Sequence, residues 1–371
     1  MFVITTRNFP PAVGGMQTLM ADLAANLVEH GPVKVFADAI EGDYDFDKKQ
    51  NYQIERIKGF DFIKKYRKNN QVQIYCTENK NIRALIADHW KSIEKISDNI
   101  CLQIPTLCLI HGKEINHKKG SLLHTRMTRS LKKAKFIIAN SEFTKKLAIK
   151  KGIAAKKIKI INPGINPPKP IEGRYLEQAK EIFGSTNPKL ISVTRLEKRK
   201  GIHSVILSLK NLQVLYPNFL YVIIGQGDES ETLKNIARNM DLSNNIIFLE
   251  EVASGLKNAL LKYADIFLMP SIEDGASVEG FGISFLEASM YKTACIGGVV
   301  GGAADIIKDG KTGFLCDGTN HDKIYQALNK MLNNKRYTKM GANAQKHAQN
   351  FLWKDQIKKY IKLLDYGKRS L

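Results

Sequence analysis

Residues 1–27 read MFVITTRNFPPAVGGMQTLMADLAANL, and three physical regimes succeed one another within them. The first six residues are an apolar run with β-branched members, the pattern of a buried strand. Phe9-Pro10-Pro11-Ala12-Val13-Gly14-Gly15 interrupts it, since two prolines and two glycines suit a turn better than a regular element. Met16, Leu19, Met20, Leu23 and Leu27 then fall at helical spacing on one apolar stripe. Strand, glycine-bearing loop and amphipathic helix, in that order, open a βαβ unit.

The same alternation runs outward along nearly the whole chain. Apolar runs at 1–6, 33–37, 72–76, 106–110, 135–139 and 158–161 predict the strands of a first domain. The segment 162–170, NPGINPPKP, holds four prolines and a glycine and predicts a linker. The pattern then restarts, with strands expected at 190–193, 220–224, 246–249, 266–269, 294–296 and 313–315. Two open α/β domains in tandem fit a chain of 371 residues, which is more than one core usually absorbs. In residues 351–366, Trp353, Ile357, Tyr360, Ile361 and Leu364 have the period of a closing amphipathic helix.

Composition narrows the class. An apolar fraction of 43% with 25% charged residues excludes collagenous and mostly disordered chains. No apolar run approaches the roughly 20 residues of a membrane-spanning helix, and the first residues lack a secretory leader's basic lead, so a cytoplasmic protein is expected. Cys76, Cys101, Cys108, Cys295 and Cys316 are odd in number and form no CxxC pair, so they read as core residues. The net charge of +21 is uneven: within 111–160, 13 Lys and 2 Arg meet only Glu114 and Glu142, a surplus of +13 that attracts polyanions unless it is simply a solvated face.

Parallel sheets bind ligands beyond the carboxyl ends of their strands, where helix amino termini offer unpaired N–H groups to anions. Five loops there carry candidate chemistry. Gly14 and Gly15 allow close backbone approach at the start of the first helix. Thr194-Arg195-Leu196-Glu197-Lys198-Arg199-Lys200-Gly201 places Arg195 and Lys200 where they can converge on a diphosphate, unless the loop is simply basic and solvated. Gly225-Gln226-Gly227 follows a strand but lacks the third glycine of a dinucleotide fingerprint. In Glu279-Gly280-Phe281-Gly282-Ile283-Ser284-Phe285-Leu286-Glu287 the glycines free amides at a helix start, and two acceptors, Glu279 and Glu287, bracket it. His111 stands at the end of the expected strand 106–110, where a histidine can bond a substrate hydroxyl or steady a developing charge. Asp43-Tyr44-Asp45 has the letters of a metal-binding DxD loop but sits in an acidic loop after an early strand; no metal site is expected.

Taken in order, FPPAVGGMQ, HGKE, IIANSEFTKKL, INPGI, TRLEKRKG, IIGQGDE, YADIFLMPS, EGFGISFLEA and GGAADIIKDGKTGFLC resemble the retaining glycosyltransferases of family 4, above all the mannosyltransferases that build phosphatidylinositol mannosides. The resemblance implies two Rossmann-like domains facing across a cleft (the GT-B fold), with the last helix crossing back, so that 1–165 with 351–371 form an acceptor-side domain and 171–350 a donor-binding one. It implies a nucleotide-sugar donor held without cofactor or metal. Arg195 and Lys200 would grip the diphosphate, Glu287 the ribose and Glu279 the sugar hydroxyls. Phe281, Gly282 and Ile283 would offer backbone to the phosphates, with Gly14, Gly15 and His111 contributed by the first domain. The chain departs from the family at Tyr291-Lys292-Thr293, where a small Gly-Pro-like turn is usual, and at Glu250-Glu251, which leaves the donor base open. Mannose from GDP-mannose is the first expectation and glucose from UDP-glucose the second.

The basic run Lys64-Lys65-Tyr66-Arg67-Lys68 beside Phe60, Phe62 and Ile63, with the +13 segment, suggests a peripheral seat on an anionic membrane and a lipid or glycan acceptor. A nucleic-acid-binding protein would also use the charge but shows no binding module and leaves the paired glutamates unexplained. Two rival readings keep the sugar nucleotide: a non-catalytic sensor that only binds it, and an epimerase that alters its sugar.

Overall fold

A computed structural model describes residues 1–368, without the side chains of 61, 62 and 366–368; Phe62 and residues 369–371, named above, fall outside that description. The chain divides into two compact units, Met1–Gly164 joined by the stretch from Phe351, and Ile165–Asn350.

The first unit is a seven-stranded sheet of β1 (Phe2–Thr5), β2 (Val33–Asp38), β3 (Gln53–Ile57), β4 (Ala84–Ala87), β5 (Thr106–Ile110), β6 (Phe136–Ala139) and β7 (Ile158–Ile160), in the order 3-2-1-4-5-6-7. All its pairs are parallel, with Phe2 opposite both Val33 and Ala84. Both faces are covered. Phe2 and Ile4 enter one core with Leu19, Leu23 and Leu27 of α1 (Gly15–Leu27), while Val3 points into another with Phe36 and Trp90. This is the expected consequence of period-two side chains on a strand buried from both sides.

The second unit repeats the plan with β8 (Lys189–Val193), β9 (Leu220–Ile224), β10 (Ile246–Leu249), β11 (Ile266–Met269), β12 (Ala294–Gly298) and β13 (Gly313–Cys316), in the order 10-9-8-11-12-13 and again parallel. In each sheet the order reverses once, between β1 and β4 and between β8 and β11. Those reversals create the crevices where open sheets take ligands.

One strand expectation fails. Residues 72–76 lie inside α2 (Asp61–Glu78), not in a strand. Val72 and Cys76 are buried one helical turn apart, Tyr75 packs beside them and Ile74 is exposed, so the period is helical. Two strands went unread. β3 is polar at an edge, and β4 is only four residues, Ala-Leu-Ile-Ala. The five cysteines are all buried and unpaired.

The last helix, labelled α5 (Trp353–Lys368), belongs to the first unit although α3 (Ile283–Met290) and α4 (Arg336–Ala348) precede it in the second. Trp353, Ile357, Tyr360 and Leu364 join the α1 core, and the Trp353 Nε1–H donates to Asp22 Oδ2 at 3.2 Å. Gly164 makes room for that indole, since a Cβ there would lie 2.3 Å from the Trp353 ring. Trp353→Ala is expected to cost about 3–5 kcal/mol and Gly164→Ala about 1–3 kcal/mol, both read by urea unfolding followed by circular dichroism. A neutral Gly164→Ala would show that the ring does not seal this corner.

Candidate active site

At the crevice of the second sheet, the loop after β8 meets the segment after β11. A short 3-10 turn, Lys198–Lys200, ends at Gly201, whose φ of 72° is left-handed and whose missing Cβ lets it approach the Pro270 carbonyl. The Lys200 side chain is thereby turned inward, where its ammonium bonds Glu279 Oε2 and lies 3.6 Å from Met269 Sδ. Arg199 Nη1 donates to the same Glu279 oxygen at 2.8 Å, and its Nε to Glu197 Oε2 at 2.7 Å. Arg195 stands at the mouth, its side chain 70% exposed, with one contact to Glu197 Oε1 at 3.0 Å.

Burial by itself would push the Glu279 carboxyl up. The Lys200 and Arg199 charges outweigh it and hold the group down to about 2, so it is a carboxylate at any working pH. Burial is also the main influence on Lys200 and lowers its ammonium from the ordinary value against the pull of Glu279. Lys200, Arg199 and Arg195 meet Glu279 and Glu197, so the cluster keeps one net positive charge.

Glu279 leads into α3, whose N-cap is Gly282 at φ 88° with no side-chain cap, so the first amides of the helix are not claimed by a capping side chain. Phe281 is buried, and Ile283 opens the helix. Glu287, one turn on, is partly exposed and pairs with Lys257 at 2.6 Å. Gly225 and Gly227 serve backbone packing: a Cβ on Gly225 would lie 1.9 Å from the Thr194 carbonyl oxygen, and one on Gly227 2.3 Å from that of Leu196. They let the β9 loop press against the Arg195 loop, fixed by the Leu196 N–H donating to the Gln226 carbonyl at 2.8 Å.

The first unit presents its own cluster at the carboxyl ends of β1, β4 and β5. Asp88 is fully buried and accepts from Thr6 Oγ1 at 3.0 Å, the Arg7 N–H at 2.9 Å and Ser92 Oγ at 2.6 Å, tying the β1 loop to the β4 loop. His111, half-buried, places Nε2 3.0 Å from the Asp88 carbonyl oxygen, and its N–H donates to Glu114 Oε1 at 2.5 Å. A carbonyl only accepts, so Nε2 carries a proton, and the tautomer with a single proton has Nδ1 as its acceptor. Burial pushes neighbouring His89 down to about 4, which keeps it neutral. Gly14 is the uncapped N-cap of α1, followed by Gly15.

The structure therefore gathers Lys200, Glu279, Arg195 and Glu287 along one edge of the second unit, and His111, Gly14 and Gly15 along the corresponding edge of the first. Sequence reasoning passed over Arg199, Lys257, Asp88 and His89. Arg199 adjoins Lys200 in the motif and was readable there, whereas Asp88 and His89 follow the unread strand β4. The basic run on α2 is less free than its letters suggest. Lys68 is buried on Asp38 at 2.7 Å and the Thr6 carbonyl at 2.6 Å, and Lys65 pairs with Glu94. Asp43, expected not to bind metal, accepts from the Ile40 N–H at 3.2 Å and lies 4.0 Å from Arg56. Among the described residues no cluster of three or more His, Cys, Asp or Glu could hold a metal ion, and no helix is long and apolar enough to cross a membrane.

Residues 13–169 match the model of Glycosyltransferase Family 4, and residues 175–347 match that of Glycosyl transferases group 1. The chain belongs to these glycosyltransferases. The transferase is 25% identical to a GDP-mannose-dependent α-(1-6)-phosphatidylinositol monomannoside mannosyltransferase of Mycolicibacterium smegmatis, over 99% of each chain. A monoacylated-substrate counterpart from Corynebacterium glutamicum is 32% identical over 48% of this chain and 47% of its own. The fold is that of solved GT-B enzymes: HepE of Anabaena, crystallised with UDP, superposes with a TM-score of 0.82 at 18% identity over 98% of this chain and 99% of its own.

Glu279→Gln would leave the buried Lys200 ammonium without its counter-charge and Arg199 with Glu197 alone, and we expect it to cost about 3–5 kcal/mol at pH 7. The depressed carboxyl contributes stability that is full above its ordinary value of 4.5 and is lost as pH falls through about 2. Urea titrations should thus show the wild-type advantage constant from pH 7 to 5 and shrinking towards pH 2. A gap that stays the same at pH 2.5 would mean the pairing is not what holds Glu279.

Proposed function

We propose that the transferase moves a hexose, mannose from GDP-mannose in the first instance, to a hydroxyl of a lipid-linked or glycan acceptor, with retention of configuration. The observation that carries this reading is the buried Glu279 carboxylate fixed by Lys200 and Arg199 beside the uncapped start of α3. It offers a hydroxyl-binding acceptor next to cations and amides suited to a diphosphate. In this reading exposed Arg195 closes on the phosphates from the same loop, and Glu287 takes the ribose hydroxyls.

In the reaction so read, the bond from the sugar's anomeric carbon to the phosphate oxygen breaks as the acceptor hydroxyl attacks the same face. The hydroxyl proton passes to the departing phosphate, and Lys200, Arg195 and the α3 amides stabilise the charge that grows there. Neither a metal nor a covalent enzyme intermediate is required. His111, with Nδ1 free to accept, is assigned to a hydroxyl of the transferred sugar. Glu250, paired with Lys234 at 3.4 Å, and Glu251 after β10 leave the donor base open, and it is similarity to the mannosyltransferases along nearly the whole chain that favours the GDP donor.

Turnover of GDP-mannose against UDP-glucose, with phosphatidylinositol-type acceptors supplied in detergent, decides the donor. We expect Arg195→Ala to raise the donor KM roughly tenfold with a smaller loss in kcat, and His111→Ala to lower kcat by about 10²-fold with KM little changed. Hydrolysis or transfer from UDP-glucose alone would overturn the mannosyl assignment, and an unaltered kcat in His111→Ala would remove that residue from the site.

The same reading seats the first unit on anionic lipid. Phe60, Tyr66 and Arg67 are exposed near the start of α2, where Lys64 is half-buried and donates to the Ala39 carbonyl, and Leu122 is exposed at the start of the basic helix Leu122–Lys133. Co-sedimentation with phosphatidylglycerol vesicles is expected at low salt and should weaken steeply by about 0.5 M. No binding at low salt would refute the membrane seat and leave the transfer chemistry standing.

A further inference from the structure

The second unit holds an open cavity of about 710 Å³ that the transfer chemistry does not use. Its walls include Asp265, immediately before β11, and Lys292, shortly before β12, so it lies at the amino ends of the strands. The Lys200–Glu279 cluster follows β8 and β11 at their carboxyl ends, and a four-residue strand separates the two ends by roughly 13 Å.

Three lysines from three segments line the cavity: Lys169 from the linker, Lys262 from the helix Ser254–Tyr263, and Lys292 from the turn after α3. None of these ammoniums has a carboxylate within 4 Å among the described residues. The only acidic group in the lining, Asp265, is already engaged, accepting from the Lys189 N–H at 2.8 Å and from the Tyr337 hydroxyl. Thr338 and Gln345 add neutral polar groups to the wall, and Tyr291, Pro170 and Met290 give it ring and hydrocarbon.

Lys292 is held where lysine is a poor choice. Its φ is 65°, in the left-handed region that follows a helix end and that glycine enters without penalty. Gly341 of α4 packs so closely on the Lys292 carbonyl that a Cβ there would lie 1.8 Å from it, which seats the turn against that helix. This is the Tyr291-Lys292-Thr293 segment in which the sequence departs from its family's small turn. A backbone position suited to glycine carries a lysine instead, and that lysine lines the cavity.

We propose that this cavity is a binding site for a phosphorylated small molecule of sugar size, its phosphate received by Lys169, Lys262 and Lys292 and its ring resting on Tyr291 and Pro170. The site is separate from the one used in transfer, and the proposal does not depend on the donor assignment.

Calorimetric titration of the full chain with glucose 6-phosphate, and with glucose as the uncharged control, tests it. We expect saturable binding of the phosphate ester only. Lys292→Gly suits the backbone, so it should keep or raise the Tm while weakening binding about tenfold. Lys169→Ala/Lys262→Ala should weaken it further, and Arg195→Ala, at the other end of the sheet, should leave it unchanged. The proposal fails if glucose 6-phosphate does not bind, if glucose binds equally well, if the lysine variants bind as the wild type does, or if Arg195→Ala abolishes binding.

Discussion

Glu279 is a carboxylate with almost no access to water, and it stays ionised because two cations reach it from a single loop. Removing an isolated charge from water costs several kcal/mol, so the arrangement persists only while Lys200 and Arg199 are both in place. That constraint ties the loop after β8 to the segment after β11, the two sides of the crevice at which the strand order reverses. It also sets where α3 begins, and hence where Glu287 stands. The positions of the charged groups that the transferase would bring to a donor therefore descend from one buried pairing.

The glycines of the second unit follow from the same constraint. Loops that converge on a crevice must pass one another at backbone distance, and Gly201 and Gly225 are the places where they do so. A side chain at Gly225 would meet the Thr194 carbonyl and push the Arg195 loop aside. In the first unit a different carboxylate organises the corresponding edge. Asp88 accepts from the β1 loop and from its own helix start, and the backbone carbonyl it carries fixes the tautomer of His111. One unit thus uses a charge-compensated acid, and the other an acid satisfied by neutral donors.

How far the letters could be read depends on how local the deciding force is. All six strands of the second sheet were legible, because each is a short apolar run bounded by breakers, and the four inner ones are buried on both faces. In the first sheet β3 hid behind its polarity and β4 behind its brevity, and 72–76 has strand-like composition with a helical period. The paired glutamates and the Arg195–Lys200 spacing were visible as a motif. Which residues shield Glu279, and that Lys65 and Lys68 are spent on Glu94 and Asp38, were not.

By itself, the order of apolar runs and breakers determined two parallel α/β units and the loops on which chemistry would fall, since hydrophobic period and turn chemistry act over a few residues. Tertiary structure decided the rest. It returned Trp353 to the first unit against Gly164, turned Arg199 onto Glu279, gave Gly225 and Gly227 to packing, and grouped Lys169, Lys262 and Lys292 around one cavity. The reason is that desolvation, charge pairing and steric fit act between residues tens to hundreds of positions apart, and no local pattern encodes which of them will meet.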